Sequence, residues 1–134
     1  MTFHHHTSID IRWGDMDAYG HVNNTIFFRY LESARFKYFE EVCLPAVEGP
    51  VPMIVMVDIS CQFKEELRYP AHIVVGSKVS RIGGSSFDVS AEIRQGDKLC
   101  ATAKAIMVWI DPKTKKPGRI PERVRQAIEN FEAQ

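Results

Sequence analysis

Two carboxylates and several amide groups crowd one short stretch of this chain, Arg12-Trp13-Gly14-Asp15-Met16-Asp17-Ala18-Tyr19-Gly20-His21-Val22-Asn23-Asn24. An apolar, helix-like segment follows it directly. A helix start carries unsatisfied N–H groups and the positive end of the helix dipole. Such an end polarises a carbonyl and stabilises the oxyanion formed when the carbonyl is attacked, while a carboxylate beside it attacks or activates water. The chemistry this arrangement suits is hydrolysis.

The candidates divide by residue type. Asp17 has the reach of a nucleophile or general base, although by residue type alone it is more often a helix-flanking or Asx-turn carboxylate. Asp15, two residues earlier, suits a structural role with loop N–H groups or Arg12. His21 can serve as a base, a donor or a packing residue. Asn23 offers a side-chain donor to a carbonyl or a water. Asn24 is read as the helix cap, and its backbone N–H matters more than its side chain.

These groups need a scaffold. Ser8 to Trp13 alternates with Ile9, Ile11 and Trp13 on one face, which predicts a half-buried strand. Thr25 to Cys43 predicts a helix with Phe27, Leu31, Ala34, Tyr38 and Val42 on one stripe, widened by Tyr30 and Phe39. Arg29 and Glu32 are spaced to pair on its wetter side, and Pro45 marks its stop. Four strand-like segments follow: Met53 to Phe63, a stretch around Ile73 to Val79, Phe87 to Arg94, and Leu99 to Ile110. Gly83-Gly84 and Gln95-Gly96-Asp97 are turn signals. Ala101, Ala103 and Ala105 make one face of the last strand small enough for close helix approach. Asp88 and Ser90 fall on the polar face of their strand, as Asp58 does on its own. A basic loop from Lys113 to Arg119 leads to Pro121 at a first helical position and a short amphipathic helix carrying Val124, Ile128 and Phe131. Strand, long helix, four consecutive strands and short helix describe a single α+β domain over residues 1–134, with an antiparallel sheet of about five strands wrapped around the helix.

Composition removes other classes. The 134 residues carry 17 Lys and Arg against 17 Asp and Glu, which leaves no electrostatic footprint for nucleic acid or an anionic membrane. No apolar run reaches membrane-spanning length and the N-terminus lacks a signal-peptide core, so a cytoplasmic protein is expected. Cys43, Cys61 and Cys100 are odd in number and widely spaced, against a disulfide framework or zinc site. Cys61 has no histidine set beside it by any motif and reads as core. Successive histidines at 4–6 cannot face one metal along a strand, and no metal is expected.

The run Asp15-Met16-Asp17-Ala18-Tyr19-Gly20-His21-Val22-Asn23-Asn24, followed by Phe28, Tyr30-Leu31-Glu32 and Ala34-Arg35, resembles the hotdog-fold acyl-CoA thioesterases. It is most similar to the 4-hydroxybenzoyl-CoA thioesterase group and its small bacterial relatives. His21-Val22-Asn23-Asn24 also resembles the opening of long-chain acyl and acyl-carrier-protein thioesterases. The resemblance implies a hotdog fold, an acyl-CoA substrate, no cofactor, and a homodimer or homotetramer with its site between subunits. Asp17 is the implied catalytic carboxylate, with His21 and Asn23 assisting. Gly20, Val22, Asn24, Asp58, Arg81 and Ser85 are the implied substrate contacts, with the N–H near Asn24 on the thioester carbonyl. His21 and Asn23 replace apolar and aromatic residues of the hydroxybenzoyl type. The Gly83-Gly84-Ser85 turn stands where that type carries arginines for the nucleotide of CoA, and only Arg81 is nearby in sequence. A hydratase or dehydratase of acyl thioesters and a non-catalytic acyl-CoA-binding protein are the alternatives; the hydratases' usual Asp-His motif on the helix is absent.

Overall fold

A computed structural model describes residues 2–134. The strands are β1 His5–Asp10, β2 Met53–Phe63, β3 His72–Ile82, β4 Ser86–Gln95 and β5 Lys98–Ile110; the helices are α1 Asn24–Tyr38 and α2 Glu122–Glu132. The five strands form one antiparallel sheet in the order β1-β3-β4-β5-β2. α1 packs on one face, chiefly over β3 and β1.

The apolar stripe of α1 drives this packing. Phe27, Tyr30, Leu31, Ala34 and Tyr38 are all buried, and Val42 continues the line. They meet the inward residues of the strands, including Ile73, Val75, Val89, Ile93 and Ala101. Ala105 is buried with them, and Ala103 is half-buried. Each fully buried aliphatic or aromatic side chain contributes about 1.5–3 kcal/mol. On the solvent side Arg29 Nη1 donates to Glu32 Oε1 at 2.7 Å.

Several boundaries differ from the sequence reading. β1 begins at His5 and ends at Asp10, earlier than Ser8 to Trp13. Trp13 leaves the strand's face, enters a 3-10 turn over Trp13–Asp15 and is 73% exposed. Alternation carried over to Trp13 failed because the chain bends to bury Asp15. The regular part of α1 stops at Tyr38, and Phe39–Cys43 forms a π turn in which the Leu44 N–H reaches the Phe39 carbonyl. Pro45 explains the widening: it has no N–H, and its ring would meet the Glu41 carbonyl in a continued α-helix. The helix cap is Asn23 rather than Asn24, and Pro121 caps α2 from outside its first turn. Asp88 and Ser90 are buried, at 5% and 8% exposure. Arg81 and Lys104 from the flanking strands enclose Asp88, at 2.9 and 3.4 Å, and the arginine hydrogen bond holds its carboxyl below the usual range.

α2 closes the far end of the sheet through Val124 and Ile128. Glu132 Oε2 accepts from Tyr38 Oη at 2.5 Å and from the Val79 N–H at 3.0 Å, tying α2 to both the helix and the sheet. Replacing Glu132→Ala would leave a buried hydroxyl and a buried N–H without that acceptor. The expected loss is about 2 kcal/mol of unfolding free energy, read from the urea midpoint at constant slope.

Candidate functional site

The segment between β1 and α1 is fixed by a sequence of backbone bonds. Asp17 N–H donates to the His21 carbonyl at 2.9 Å and Gly20 N–H returns to the Asp17 carbonyl at 3.0 Å. Gly20 sits at φ +81°, in the left-handed region that glycine occupies without strain. Val22 is buried, and its N–H donates to the Leu67 carbonyl at 2.8 Å.

The two carboxylates have opposite surroundings. Asp15 is 4% exposed and accepts from Arg12 N–H at 3.1 Å, Arg12 Nη2 at 3.2 Å and Tyr30 Oη at 2.7 Å. It is a structural anchor between the loop and α1. Asp17 is half-buried; its Oδ1 accepts from the Tyr19 N–H at 2.9 Å and its Oδ2 from Asn23 Nδ2 at 3.2 Å. A carboxylate has about four acceptor positions, so both oxygens keep open lone pairs.

Asn23 also caps α1. Its Oδ1 accepts from Thr25 N–H at 2.9 Å and from Thr25 Oγ1 at 2.7 Å. The sequence reading had Asn23 as a side-chain donor to a substrate carbonyl or a water; in this structure its amide nitrogen donates to Asp17. Asn24 is the first residue of the helix. Its N–H meets no acceptor among the described residues and stands at the positive end of a 15-residue helix.

These groups open onto a cavity of about 580 Å³. Asp17, Tyr19, His21, Asn23 and Asn24 form its polar side, and Phe27 and Phe63 an aromatic side. The two rings meet edge-on, 5.2 Å between centroids. Lys64, Glu65 and Glu66 close a third side. His21 Nε2 lies 3.0 Å from Glu66 Oε2 and 2.8 Å from Arg68 Nη2. Neither neighbour was predictable from the motif, since each lies more than forty residues along the chain.

Three expected contacts lie elsewhere in this chain. Asp58 is exposed on β2, outside the cavity. Arg81 and Ser85 stand where β3 turns into β4, at the end of the sheet opposite His72 and Phe63, roughly 30 Å along β3. Arg81 Nη2 is held by Asp88 Oδ1 and by Ser86 Oγ at 3.0 Å. The turn also receives Arg125, whose Nη2 donates to the Gly83 carbonyl at 2.8 Å, and the Arg119 guanidinium beside Gly84. These are arginines that adjacency in sequence did not reveal. Cys61 is half-buried on β2, and burial pushes its thiol up, against use as a thiolate.

A helix-wrapping antiparallel sheet with a carboxylate at the start of its long helix is the hotdog architecture with a hydrolase-type site. The thioesterase-like superfamily model matches residues 11–128, and the chain belongs to that family of thioester hydrolases. A solved structure of a putative thioesterase from Pseudomonas aeruginosa is 31% identical, with a TM-score of 0.83 over 95% of this chain and 99% of that one. The long-chain acyl-CoA thioesterase FadM of Escherichia coli is 25% identical over 93% of this chain and 97% of its own. The chloroplast acyl-acyl carrier protein thioesterase ATL3 of Arabidopsis thaliana is 25% identical over 98% of this chain and 70% of its own. Among the described residues no helix is long and apolar enough to cross a membrane.

The Asp15 anchor makes a pH-dependent prediction. Burial pushes its carboxyl up, but the Arg12 N–H, the Tyr30 hydroxyl and the Arg12 charge together outweigh burial and leave it below the ordinary range. Burial and Asp15 push the Tyr30 hydroxyl well above the usual phenol value, so it stays a donor. A carboxyl depressed on folding contributes stability above its unfolded value near 3.9, and that contribution fades as pH falls through the folded value. Tyr30→Phe should therefore cost about 1.5–3 kcal/mol near pH 7, the range for a bond to a charged group. The gap to wild type should narrow below about pH 4. Urea titrations at both pH values check this.

Proposed function

We propose that this chain hydrolyses acyl-CoA thioesters to a free acid and CoA, acting as one domain over residues 1–134. The observation that carries the reading is the placement of the Asp17 carboxylate. It is oriented by Tyr19 and Asn23, beside the open Asn24 N–H, in a cavity with an aromatic wall. The thioester carbonyl oxygen accepts from the Asn24 N–H, and the acyl chain lies against Phe27 and Phe63. In the general-base form, Asp17 takes a proton from water as the water oxygen bonds to the carbonyl carbon. The C–S bond then breaks, the electron pair leaves on sulfur, and the thiol recovers a proton. In the nucleophilic form, an Asp17 oxygen bonds to that carbon, the C–S bond breaks with its electron pair leaving on the CoA sulfur, and water hydrolyses the resulting mixed anhydride to the free acid and the Asp17 carboxylate. A thioester expels a weakly basic thiolate, so neither route needs a metal.

Asp17→Asn keeps the shape and one acceptor, for the Tyr19 N–H, gives up the acceptor for Asn23 Nδ2, and removes the base or nucleophile. It should lower kcat at least about 100-fold with little change in folding. Thiol release from a panel of acyl-CoA substrates, with circular dichroism as the folding control, measures it. Near wild-type turnover in a folded variant would remove Asp17 from the chemistry.

We also propose that two copies pair through β2, giving a homodimer or a dimer of dimers. β2 is an edge strand of 11 residues with Met53, Met56, Val57 and Phe63 exposed. Long apolar edges are templates for another strand. Asp58 would then lie at the joint, where it can meet a substrate held by the other copy. Light scattering should give at least twice the chain mass. Val57→Lys on the free edge should shift the protein towards the monomer and lower activity in parallel; a fully active monomer would contradict the pairing.

A further inference from the structure

A second cleft, of about 560 Å³, runs beside the Asp17 cavity and shares Lys64, Glu65 and Glu66 with it as a common wall. Arg68, Gln95 and Lys98 form its other side. The wall is held at both ends. Lys64 and Glu65 N–H groups donate to the Cys100 carbonyl at 2.8 and 3.2 Å, and Leu67 is fully buried with its carbonyl on the Val22 N–H. This short loop is therefore pinned to β5 and to the catalytic segment at once. Its charge is uneven. Glu66 turns to His21 at 3.0 Å and to Arg68 at 3.6 Å, whereas among the described residues no carboxylate is within ion-pair distance of Lys64 or Lys98. Glu65 is the remaining carboxylate of the cleft.

We propose that this second cleft binds the phosphate of the phosphopantetheine arm that carries the thioester. The inference rests on the reading of the Asp17 cavity as the thioester site and adds where the carrier end goes. The arm has its sulfur at one end and its phosphate at the other, joined by a chain of two neutral amides. With the sulfur at Asp17, the arm leaves over the Lys64–Glu66 wall, and its phosphate arrives among Lys64, Lys98 and the outer edge of Arg68. Lysine and arginine are the side chains that hold phosphate, and a cleft with low-dielectric walls concentrates their field. Arg81 cannot take this part for the same thioester within one chain, because it is held by Asp88 at the far end of the sheet. The phosphate is common to coenzyme A and to an acyl-carrier protein.

The test compares acyl-phosphopantetheine with acyl-pantetheine, which differ only by that phosphate. The wild type should favour the phosphorylated substrate about tenfold in kcat/KM, the size of one or two bonds between charged groups, and the preference should shrink as salt rises. Lys64→Gln/Lys98→Gln should reduce the preference to within about twofold. No preference in the wild type, or one that survives the double substitution, overturns the proposal. Acyl-CoA and an acyl-carrier protein run alongside identify the source, which is the carrier whose turnover falls with the double substitution. A fall for acyl-CoA without any preference for acyl-phosphopantetheine would place the contact on the nucleotide and overturn the assignment. If no thioester is hydrolysed, the proposed function fails separately. Calorimetric titration with phosphopantetheine and with pantetheine then decides the cleft: tighter phosphopantetheine binding lost in the double variant upholds it, and equal binding of the two overturns it.

Discussion

Asn23 has one side-chain oxygen and one side-chain nitrogen, and the fold commits both. The oxygen closes the first turn of α1 on Thr25, while the nitrogen reaches back to Asp17. Its backbone N–H is spent on the Asp15 carbonyl at 3.2 Å, and its carbonyl takes the Ile26 N–H at 2.9 Å. Helix start and carboxylate are therefore positioned by one residue, and neither can shift without the other. This explains why asparagine suits the position. Aspartate would cap the helix as well but would donate nothing and repel Asp17; serine would cap but could not span to it. The separation of the Asp17 carboxylate from the first N–H of α1 is thus set by a single amide.

That amide is steady because the layer beneath it is buried. Asp15 closes the 3-10 turn and Asp17 lies one residue beyond it, so it is the turn, and not strand alternation, that sends one carboxylate inward to Arg12 and Tyr30 and leaves the other at the cavity. The inward one is costly to bury and is stable there only because a charge and two further donors satisfy it. Tyr30 belongs to the apolar stripe of α1, with its ring in the core and its hydroxyl on Asp15. The hydrophobic packing of α1 thereby fixes the height of the loop above the sheet.

Periodicity carried most of this into the sequence. The α1 stripe, the alternation of Phe87, Val89, Ala91 and Ile93, and the turn at Gly96 (φ +59°) are local signals, and the elements form where those signals stand. Asp17 was legible because motif and helix start are contiguous. What stayed hidden depended on contacts between distant segments. Glu66 and Arg68 meet His21 only because Leu67 is buried beneath Val22. Asp88 alternates like a solvent-facing residue, yet Arg81 and Lys104 cover it from the strands on either side. Trp13 continued an apolar pattern that the backbone abandons after Asp10, entering the 3-10 turn that buries Asp15 and exposes the indole. Arg81 and Ser85 illustrate the converse: a turn can carry the expected residue types and lie, within one chain, a sheet length away from Asp17.

The edge of the sheet and the cavity are not independent parts. β2 contains no proline or lysine to discourage another strand, and its charge is limited to Asp58, beside the irregularity between Met56 and Asp58. The last residue of that strand, Phe63, packs against Phe27 and Phe28 and forms part of the cavity wall. The next three residues form the wall shared with the second cleft. A strand added to β2 would therefore cover apolar surface and at the same time press on the ring that shapes the acyl side of the site. Along one continuous stretch, Met53 to Arg68, the chain passes from a surface suited to a second copy, to an aromatic wall, to a cationic cleft. The edge strand, the aromatic wall and the wall between the two clefts are thus consecutive in sequence, and the Cys100 carbonyl and the buried Leu67 are the fixed points that keep them in register.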